Sequence, residues 1–333
     1  MSVLIDSDIA VSTRVRLARN YTDLPFPANM TRLQFKKLNE RIVARLGKKE
    51  FTRLDMASLS PTERQVLVER HLASRELIDR PDGMLLLSKS ETISIMAGEE
   101  DHLRVQCVLP GLRLEEADNL SRSVDAMLSA DGYAFDPELG YLTACPTNVG
   151  TGMRASVMLH LPAMAMTGSI QSLIETVGKF GYTLRGYYGE GTRADGDMVQ
   201  ISNQVTLGLS EEEIIGNLSE VVRGIIKKER SAREALLKGD NGQLTDRLHR
   251  SLGILKYARR LSIEEMMQRL SDVKLALSLG LFEGVTAADL EKLTTLCQPA
   301  SVATTLSGAS TPEQRDEARA KMVRVALKNC NVF

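Results

Sequence analysis

The chain has 333 residues, enough for one large domain or two smaller ones, and its 43% hydrophobic and 26% charged content is typical of a globular protein. Its 42 basic and 43 acidic side chains nearly cancel, which argues against a global field for nucleic acid or an anionic membrane. Its four cysteines form no C-x-x-C pair, so neither a disulfide framework nor a zinc site is expected.

The N-terminus predicts no secretory signal, because it lacks a basic region followed by a long apolar core. The longest mainly apolar stretch, ASVMLHLPAMAM, is too short to span a bilayer. These features predict a cytoplasmic protein without membrane contact, without direct nucleic-acid binding and without a metal held by its own side chains.

Strands dominate the pattern of the first two thirds of the chain. Residues 83–109 contain three runs rich in apolar and β-branched residues, and the acidic turn GEED at 98–101 lies between the second and the third. The stretch YLTACPTNVG predicts a strand that enters a loop, and residues 182–208 predict two strands around a glycine-rich loop at 189–196.

Helices follow from residue 210 onward. Ser210 and Glu213 form a capping-box pattern before apolar residues at helical spacing, and after the sequence KGDNG at 238–242 the pattern stays helical. Further helix starts are predicted at Ser262, Thr286 and Thr311. The chain is therefore predicted to combine a mixed α+β domain at 1–235 with an all-helical domain at 236–333.

Five arginines follow strand or turn signals, and two of them, Arg14 and Arg16, are spaced to point to the same side of a strand. Arginine presents a planar fork that can bind two phosphate oxygens. The chain has no G-x-x-x-x-G-K-[ST] motif, so several convergent arginines could bind a triphosphate in its place. The alternative is that each arginine is a surface residue or an ion-pair partner. The other three are Arg104, Arg154 and Arg185.

Carboxylates are also crowded beside turn signals. Glu99, Glu100 and Asp101 share one turn, and Glu190 lies between two glycines. Crowded like charges cost energy unless a cation offsets them. The turn is either a solvated acidic turn or part of a site for a cationic substrate or a metal.

Four segments resemble the phosphagen (guanidino) kinases: STRVRLARN, EEDHLR, CPTNVGTGMRASV and RGYYGEG. They occur in the order of that family over residues 8–232. The resemblance implies an α+β catalytic domain with an antiparallel β-sheet flanked by helices. Two features resemble the bacterial protein-arginine kinases in particular. Only 11 residues precede STRVR, where small-molecule guanidino kinases carry a helical domain, and RDEARA at 315–320 is similar to a motif that recognises phosphoarginine.

The resemblance implies that ATP is bound with Mg²⁺, which would bridge phosphates mainly through water. His71 matches a histidine near the nucleotide, although its surroundings alone suggest an ordinary helix histidine. The implied nucleotide-binding positions are Ser12, Thr13, Arg14, Val15, Arg16, His71, Arg104, Arg154, Ala155, Ser156, Val157, Met158, Arg185, Gly186, Tyr187, Tyr188, Gly189 and Glu190.

The chemistry of a guanidinium accounts for the carboxylates. This group is cationic, with a pKa above about 12, and attacks a phosphoryl group only when a carboxylate accepts its proton and aligns it. The resemblance implies Glu190 as the base and Glu100 as the clamp, although the two could share the work. It also implies Cys145 beside the guanidinium and Arg185 at the transferring phosphoryl group; the alternative for Cys145 is a buried structural thiol.

Three departures from the family pattern bear on the substrate. Gly98 stands where an asparagine is usual, which makes the geometry of Glu100 less secure. Tyr188 and Gly191 replace the arginine and histidine of small-substrate members, and Arg193 adds a positive charge. The last two departures weigh against a small guanidino substrate.

The C-terminal motif has two interpretations. Arg315 and Arg319 are four apart on one predicted helix face, which is either a solvated, salt-bridged face or, with Asp316, a phosphoarginine site able to feed back on activity. The resemblance favours a stress-response kinase that marks arginines of proteins for Clp-protease degradation. A small-molecule guanidino kinase and a non-enzymatic adaptor are the alternatives. The resemblance also implies the following partners: a second copy of the chain, a zinc-binding activator, a Clp ATPase, a heat-shock repressor and protein substrates with exposed arginines.

Overall fold

The computed structural model describes residues 6–47, 50–186, 195–306 and 310–333. Twelve strands occur within these ranges. They are β1 (Ala10–Arg19), β2 (Phe51–Asp55), β3 (Met84–Ser88), β4 (Ile93–Ala97), β5 (Leu103–Pro110), β6 (Phe135–Asp136), β7 (Gly140–Tyr141), β8 (Met153–His160), β9 (Tyr182–Gly186), β10 (Met198–Asn203), β11 (Phe282–Glu283) and β12 (Asn331–Val332).

Twelve α-helices lie in the same described ranges, and five of them follow residue 240. They are α1 (Arg32–Leu46), α2 (Pro61–Glu69), α3 (Arg75–Ile78), α4 (Leu114–Leu128), α5 (Pro162–Met166), α6 (Ile170–Gly178), α7 (Glu211–Lys238), α8 (Gln243–Tyr257), α9 (Ile263–Ser278), α10 (Ala287–Leu296), α11 (Pro299–Ala303) and α12 (Pro312–Ala326). The predicted starts at Ser210, Ser262, Thr286 and Thr311 are confirmed, since each side chain accepts a hydrogen bond from its helix's first turn.

Eight strands form one sheet in the order β2-β3-β4-β5-β1-β8-β10-β9. Every neighbouring pair is antiparallel, and β1 occupies an interior position between β5 and β8. The strands predicted at 83–109 correspond to β3, β4 and β5, and those predicted around the glycine-rich loop correspond to β9 and β10. The predicted α+β class, an antiparallel sheet flanked by helices and followed by a helical region, is confirmed.

Around β1 and β8 the sheet has one apolar and one polar face, because side chains alternate along each strand. Val15 and Leu17 of β1 are fully buried, in the same hydrophobic core as Val157 of β8. Helix α7 adds Ile214 and Leu218 to that core. The opposite face is apolar over β3 and β4, where α2 and α3 cover it, and carries polar side chains over β1 and β8.

A second hydrophobic core lies in the C-terminal helices. It includes Leu252 of α8, Leu270 of α9 and Val323 of α12. The predicted division after residue 235 falls within α7, and it stays a prediction. No helix of the described ranges is long and apolar enough to cross a bilayer.

Buried polar contacts join the two cores. Arg233 of α7 donates to Glu229 (2.7 Å), to the backbone oxygen of His160 at the end of β8 (3.2 Å) and to Ser278 of α9 (2.9 Å). Ser271 of α9 lies between the His160 ring (2.8 Å) and the carboxylate of Asp197 (2.6 Å). The sheet and the C-terminal helices therefore share a buried hydrogen-bonded contact.

Candidate active site

The strand register brings the predicted arginines to one face of the sheet. Arg16 on β1 lies opposite Arg154 on β8, and Ala18, two residues further along β1, lies opposite Arg104 on β5. Gln200 of β10 lies opposite Met158 of β8 on one side and opposite Arg185 of β9 on the other. Directly opposed side chains of antiparallel strands point to the same side of a sheet. Arg14, Arg16, Arg104, Arg154 and Arg185 therefore share the polar face.

Electrostatics at this face favour an anion. Burial, followed by the charges of Arg154 and Arg104, lowers the pKa of Arg14 to about 10. Burial, followed by the charges of Arg14, Arg104 and Arg154, holds the pKa of Arg16 well below its usual value. The buried Nε of Arg16 has no hydrogen-bond partner among the described residues. A phosphate group would offset this repulsion and supply the missing acceptor.

A cavity of about 510 Å³ opens on this face. Four of the five arginines line it, together with Glu100 and Cys145, so the structure brings these six predicted site residues together. Arg14 and His71 do not line it. The lining consists of Arg16, Ala18, Ser74, Glu76, Arg80, Glu100, Arg104, Cys145, Thr147, Asn148, Gly152, Arg154 and Arg185.

Arg14 and His71 lie outside the cavity lining on the same side of the sheet. Arg14 donates to Gln200 at 3.0 Å. Burial, followed by the charge of Arg14, lowers the pKa of His71 to about 4, so this histidine is neutral at physiological pH. Its backbone oxygen accepts a hydrogen bond from Gln106 of β5 at 2.8 Å, which ties the residue to the sheet.

One wall of the cavity was missed by the sequence analysis. Ser74, Glu76 and Arg80 come from α3 and the residues beside it. Ser74 accepts a hydrogen bond from Leu77 as the N-cap of this short helix. No motif or periodicity singles out Arg80, and only the packing of α3 against the acidic turn brings it to the site.

The three carboxylates of the acidic turn are not equivalent. Glu99 is fully buried, accepts from Arg104 at 2.7 Å and also accepts from Ser74. Burial raises the pKa of Glu99, and Arg104 opposes that shift. The Glu100 side chain is 42% exposed, lies 3.5 Å from Arg104 and is the one carboxylate of this turn that lines the cavity. The solvated-turn interpretation therefore fails for Glu99.

Asp101 joins the acidic turn to the loop that carries Cys145. Its Oδ1 accepts hydrogen bonds from the backbone N–H of Ala144 and from Nδ2 of Asn20, both at 2.7 Å. Asn20 in turn accepts from the backbone N–H of His102 at 2.8 Å. Since Ala144 precedes Cys145 and Asp101 follows Glu100, these bonds set the separation between the two cavity residues.

The Cys145 loop packs closely against β1. The Cys145 thiol is partly exposed, 3.0 Å from the Thr147 hydroxyl, and does not match the alternative of a buried structural thiol. Arg19 donates to the backbone oxygen of Thr151 at 2.8 Å from a fully buried position. Gly152 has a φ of +63°, and a Cβ there would lie 2.6 Å from the backbone oxygen of Ala18. Only glycine fits this approach without a shift of backbone.

The glycine at position 98, where the family pattern has asparagine, also has a structural reason. Its φ is +73°, and a Cβ would lie 2.8 Å from the ring of Phe35. Its backbone N–H donates to the His102 oxygen at 3.0 Å, which closes the turn. Glycine adopts this positive φ without strain and leaves room for the Phe35 ring.

Comparisons with known proteins agree with this geometry. A family profile described as ATP:guanido phosphotransferase, C-terminal catalytic domain, matches residues 34–232, and one described as Protein-arginine kinase McsB C-terminal domain matches residues 241–332. A protein-arginine kinase of Caldanaerobacter subterraneus subsp. tengcongensis is 47% identical over 330 residues, which is 97% of this chain and 98% of that protein. The chain belongs to the protein-arginine kinase family. Its predicted resemblance is confirmed.

Further relatives support this membership. The protein-arginine kinase of Geobacillus sp. strain WCH70 is 47% identical over 97% of this chain and 91% of its own. Among solved structures, a lombricine kinase has a TM-score of 0.60 and 25% identity over 73% of this chain and 71% of its own. A duplicated taurocyamine kinase from Schistosoma mansoni with bound transition state analog components has a TM-score of 0.62 and 26% identity, over 85% of this chain and 39% of its own. The chain is an enzyme of the ATP-using guanidino phosphotransferases.

The glycine-rich loop predicted for this protein-arginine kinase family member lies mostly outside the described residues. Gly186 ends β9, and the description resumes at residue 195. The predictions for Tyr187, Tyr188, Gly189, Glu190, Gly191 and Arg193 fall in the interval between them.

Within the C-terminal motif, Arg319 does not lie on a solvated face, although it forms an ion pair with Asp316. Arg319 is only 2% exposed and donates to the backbone oxygens of Cys297 (2.9 Å) and Leu261 (2.8 Å) and to Asp316 (2.5 Å). Arg315 instead lines a second cavity of about 580 Å³ between α2 and the C-terminal helices. The other residues around it are Pro61, Thr62, Gln65, Glu69, Arg75, Ile263, Glu264, Met267, Gln298, Pro299, Ala300 and Ala303.

Proposed function

We propose that this enzyme transfers the γ-phosphoryl group of ATP to the guanidinium of arginine residues in proteins. One observation carries the proposal: a single cavity combines Arg16, Arg104, Arg154 and Arg185 with Glu100 and Cys145. The arginines suit a polyphosphate, and the carboxylate and thiol suit a cationic acceptor. Relatives that are 47% identical over nearly the full chain carry the name protein-arginine kinase, which supports the same acceptor here.

The arginines would bind and orient the nucleotide. Arg16 and Arg154 are directly opposed on neighbouring strands. Arg104 pairs with Ala18, two residues beyond Arg16 on β1. Their convergent charge would stabilise negative charge on the transferring phosphoryl group. We propose Mg²⁺ as the metal that accompanies ATP. The described residues contain no group of three metal-ligating side chains, so phosphate oxygens and water would be its main ligands.

The substrate guanidinium must lose a proton to a base in order to accept the phosphoryl group. As the N–P bond forms and the bond from phosphorus to the ADP oxygen breaks, the attacking nitrogen loses a proton. Glu190 is proposed to accept it, while Glu100 holds the rest of the guanidinium fork in line with the phosphoryl group. Cys145 would lie beside the cation and orient it.

Two substitutions test these roles. Glu190→Gln is expected to lower turnover by about a hundredfold or more with little change in nucleotide affinity, because it removes the base. Arg185→Lys is expected to lower turnover severely, since an ammonium cannot reproduce a bidentate fork. Initial rates and ATP-analogue binding measure both effects. Turnover near that of the unmodified enzyme in either variant would contradict the assigned role.

The acceptor is tested directly by incubating the purified protein with ATP and either casein or free arginine. Phosphorylation of casein at an acid-labile P–N bond supports the proposal. Phosphorylation of free arginine alone would indicate a small-molecule guanidino kinase, and phosphate that survives hot acid would indicate another residue type. An adaptor without enzymatic activity would keep its function after Glu190→Ala, whereas a kinase would not.

The remaining roles rest on the resemblance. We propose that Arg315, Asp316 and Arg319 contribute to phosphoarginine recognition, with Arg315 the residue that faces a cavity. Arg315→Ala with unchanged affinity for a phosphoarginine peptide would remove that role. A cytoplasmic location, a homodimer, marking for a Clp ATPase during stress, a zinc-binding activator and a heat-shock repressor are proposed on the same basis. Arginine phosphoproteomics with and without this chain tests the marking role.

A further inference from the structure

Glu69, the last residue of α2, makes its hydrogen bonds in the C-terminal region. Its Oε1 accepts from the backbone N–H of Ala300 at 2.7 Å. Its Oε2 accepts from the backbone N–H of Ser301 at 2.8 Å and from the Ser301 hydroxyl at 2.7 Å. The residue is 6% exposed, so these bonds form in a largely water-excluded environment.

The contact replaces a cap that α11 lacks locally. Gln298, at the N-cap position of α11, makes no side-chain cap bond. Short helices leave their first N–H groups without partners, and a carboxylate is a strong acceptor for them. The catalytic part of the chain therefore supplies the N-terminal cap of a C-terminal helix.

The turn that follows Glu69 leads directly to the candidate nucleotide site. His71, two residues on, has a φ of +57°, a left-handed conformation that is strained for a residue with a side chain. Such a conformation persists only where its surroundings hold it. Gln106 holds the backbone oxygen of His71 from the sheet side, and the N–H of Leu72 closes the helix end on Leu67 at 2.9 Å.

Beyond the turn, the same segment reaches the cavity of the arginines. Ser74 lines that cavity and donates to Glu99, the partner of Arg104. The segment 69–74 thus connects the α11 cap at one end with the phosphate side of the site at the other. Its backbone has few ways to shift at one end without moving the other.

We propose that Glu69 is a positioning residue through which α11 holds the His71 turn in the conformation required for nucleotide binding. The inference rests on the proposed ATP site and adds to it a requirement on the C-terminal domain. Loss of the Glu69 contact relaxes the turn, so the site binds ATP less tightly while the chemical step at saturating ATP changes less.

A double-mutant cycle in the full chain tests this coupling. Binding of a non-hydrolysable ATP analogue is measured by calorimetry for the unmodified chain, Glu69→Gln, His71→Ala and the double variant. Glu69→Gln is expected to weaken binding about five- to tenfold alone and less than twofold when His71 is already alanine. Glu40→Gln, an exposed glutamate on α1, makes the same chemical change far from the contact and is expected to bind normally.

Steady-state kinetics supply a second readout. Glu69→Gln is expected to raise KM for ATP by a similar factor with less than a twofold change in kcat. Ser301→Ala removes one of the three hydrogen bonds from the other side and is expected to act in the same direction with a smaller effect. If thermal unfolding shows that Glu69→Gln does not fold, Ser301→Ala still tests the inference.

Three outcomes would overturn the inference. They are unchanged analogue binding in both Glu69→Gln and Ser301→Ala, an equal loss of binding in both His71 backgrounds, and His71→Ala with unchanged binding. The ATP site itself is tested separately, because it fails only if Arg154→Ala also binds the analogue normally.

Discussion

Asp101 positions two cavity residues although it does not line the cavity itself. Its Oδ1 accepts hydrogen bonds from Asn20 and Ala144, which tie the acidic turn to the Cys145 loop. The sequence pattern alone does not distinguish the three carboxylates of the turn, and only the resemblance singles out Glu100. The structure separates them: Glu99 pairs with Arg104, Glu100 faces the cavity and Asp101 fixes the loop.

Substitution of Asp101 is expected to affect the acceptor more than the nucleotide. Asp101→Ala removes the acceptor of the buried Asn20 amide and of the partly buried Ala144 N–H, at a cost of about 1–3 kcal/mol. We expect kcat/KM for a protein substrate to fall about tenfold or more, with a smaller change in KM for ATP. Asp101→Asn keeps one acceptor oxygen and is the matched control, with an intermediate loss. Equal losses in the two variants would argue against the positioning role.

His71 makes stability depend on pH in a defined direction. Its folded pKa, about 4, lies below the ordinary value of 6.5. Between these values the unfolded chain binds the proton and the folded chain does not, so stability falls as pH decreases from 6.5 to 4. His71→Gln removes this contribution and should show a shallower loss across that window. Denaturant titrations at pH 7.5, 6 and 5 measure the difference, and parallel curves would contradict the shift.

At the scale of single elements, the Cys145 loop depends on one close backbone approach. Gly152→Ala adds a Cβ 2.6 Å from the Ala18 oxygen, in addition to the strain of a positive φ. Gly168 is the matched control, because its φ is +69° and nothing lies within 4 Å of its added Cβ. We expect Gly168→Ala to cost about 1–2 kcal/mol and Gly152→Ala about 1–3 kcal/mol more. Denaturant unfolding of both variants measures this, and equal costs would mean that the loop can shift freely.

The sequence predicts the strands that carry the site residues better than the convergence of those residues on one face of the sheet. Period-two spacing correctly put Arg14 and Arg16 on one side of β1. The convergence of Arg104, Arg154 and Arg185 depends on the register of β1 with β5 and β8 and on the path through β10, and no local pattern specifies those registers. Family resemblance supplied what spacing could not.

Two further elements show the same limit. Helical spacing put Arg315 and Arg319 on one face, but the end of α10 packs there and the Cys297 oxygen binds the Arg319 guanidinium. Arg80 lines the cavity only because α3 packs beside the acidic turn. In both cases the partner is distant in sequence, so the outcome depends on tertiary packing.

At the scale of the whole molecule, Arg233 holds the sheet and the C-terminal helices together. It is 4% exposed and pairs with the fully buried Glu229, whose pKa is raised by burial against the opposing charge of Arg233. Arg233→Ala is expected to lower the free energy of unfolding by about 3–5 kcal/mol, because it leaves a buried charge without its partner.

A surface pair gives the control for that prediction. Arg260 and Glu317 pair at 2.7 Å with side chains 65% and 53% exposed, so Arg260→Ala should cost less than about 1 kcal/mol. Denaturant unfolding at pH 7 compares the two variants. A loss for Arg233→Ala no larger than for Arg260→Ala would show that the buried network contributes little.

The interior position of β1 has a consequence for biosynthesis. β1 ends at Arg19, whereas its neighbour β8 begins only at Met153. At about 5–20 residues per second, the ribosome needs on the order of ten seconds to deliver that neighbour. During this interval the backbone edge of β1 that pairs with β8 has no partner, so the nascent chain presents an unpaired strand edge that chaperones can shield.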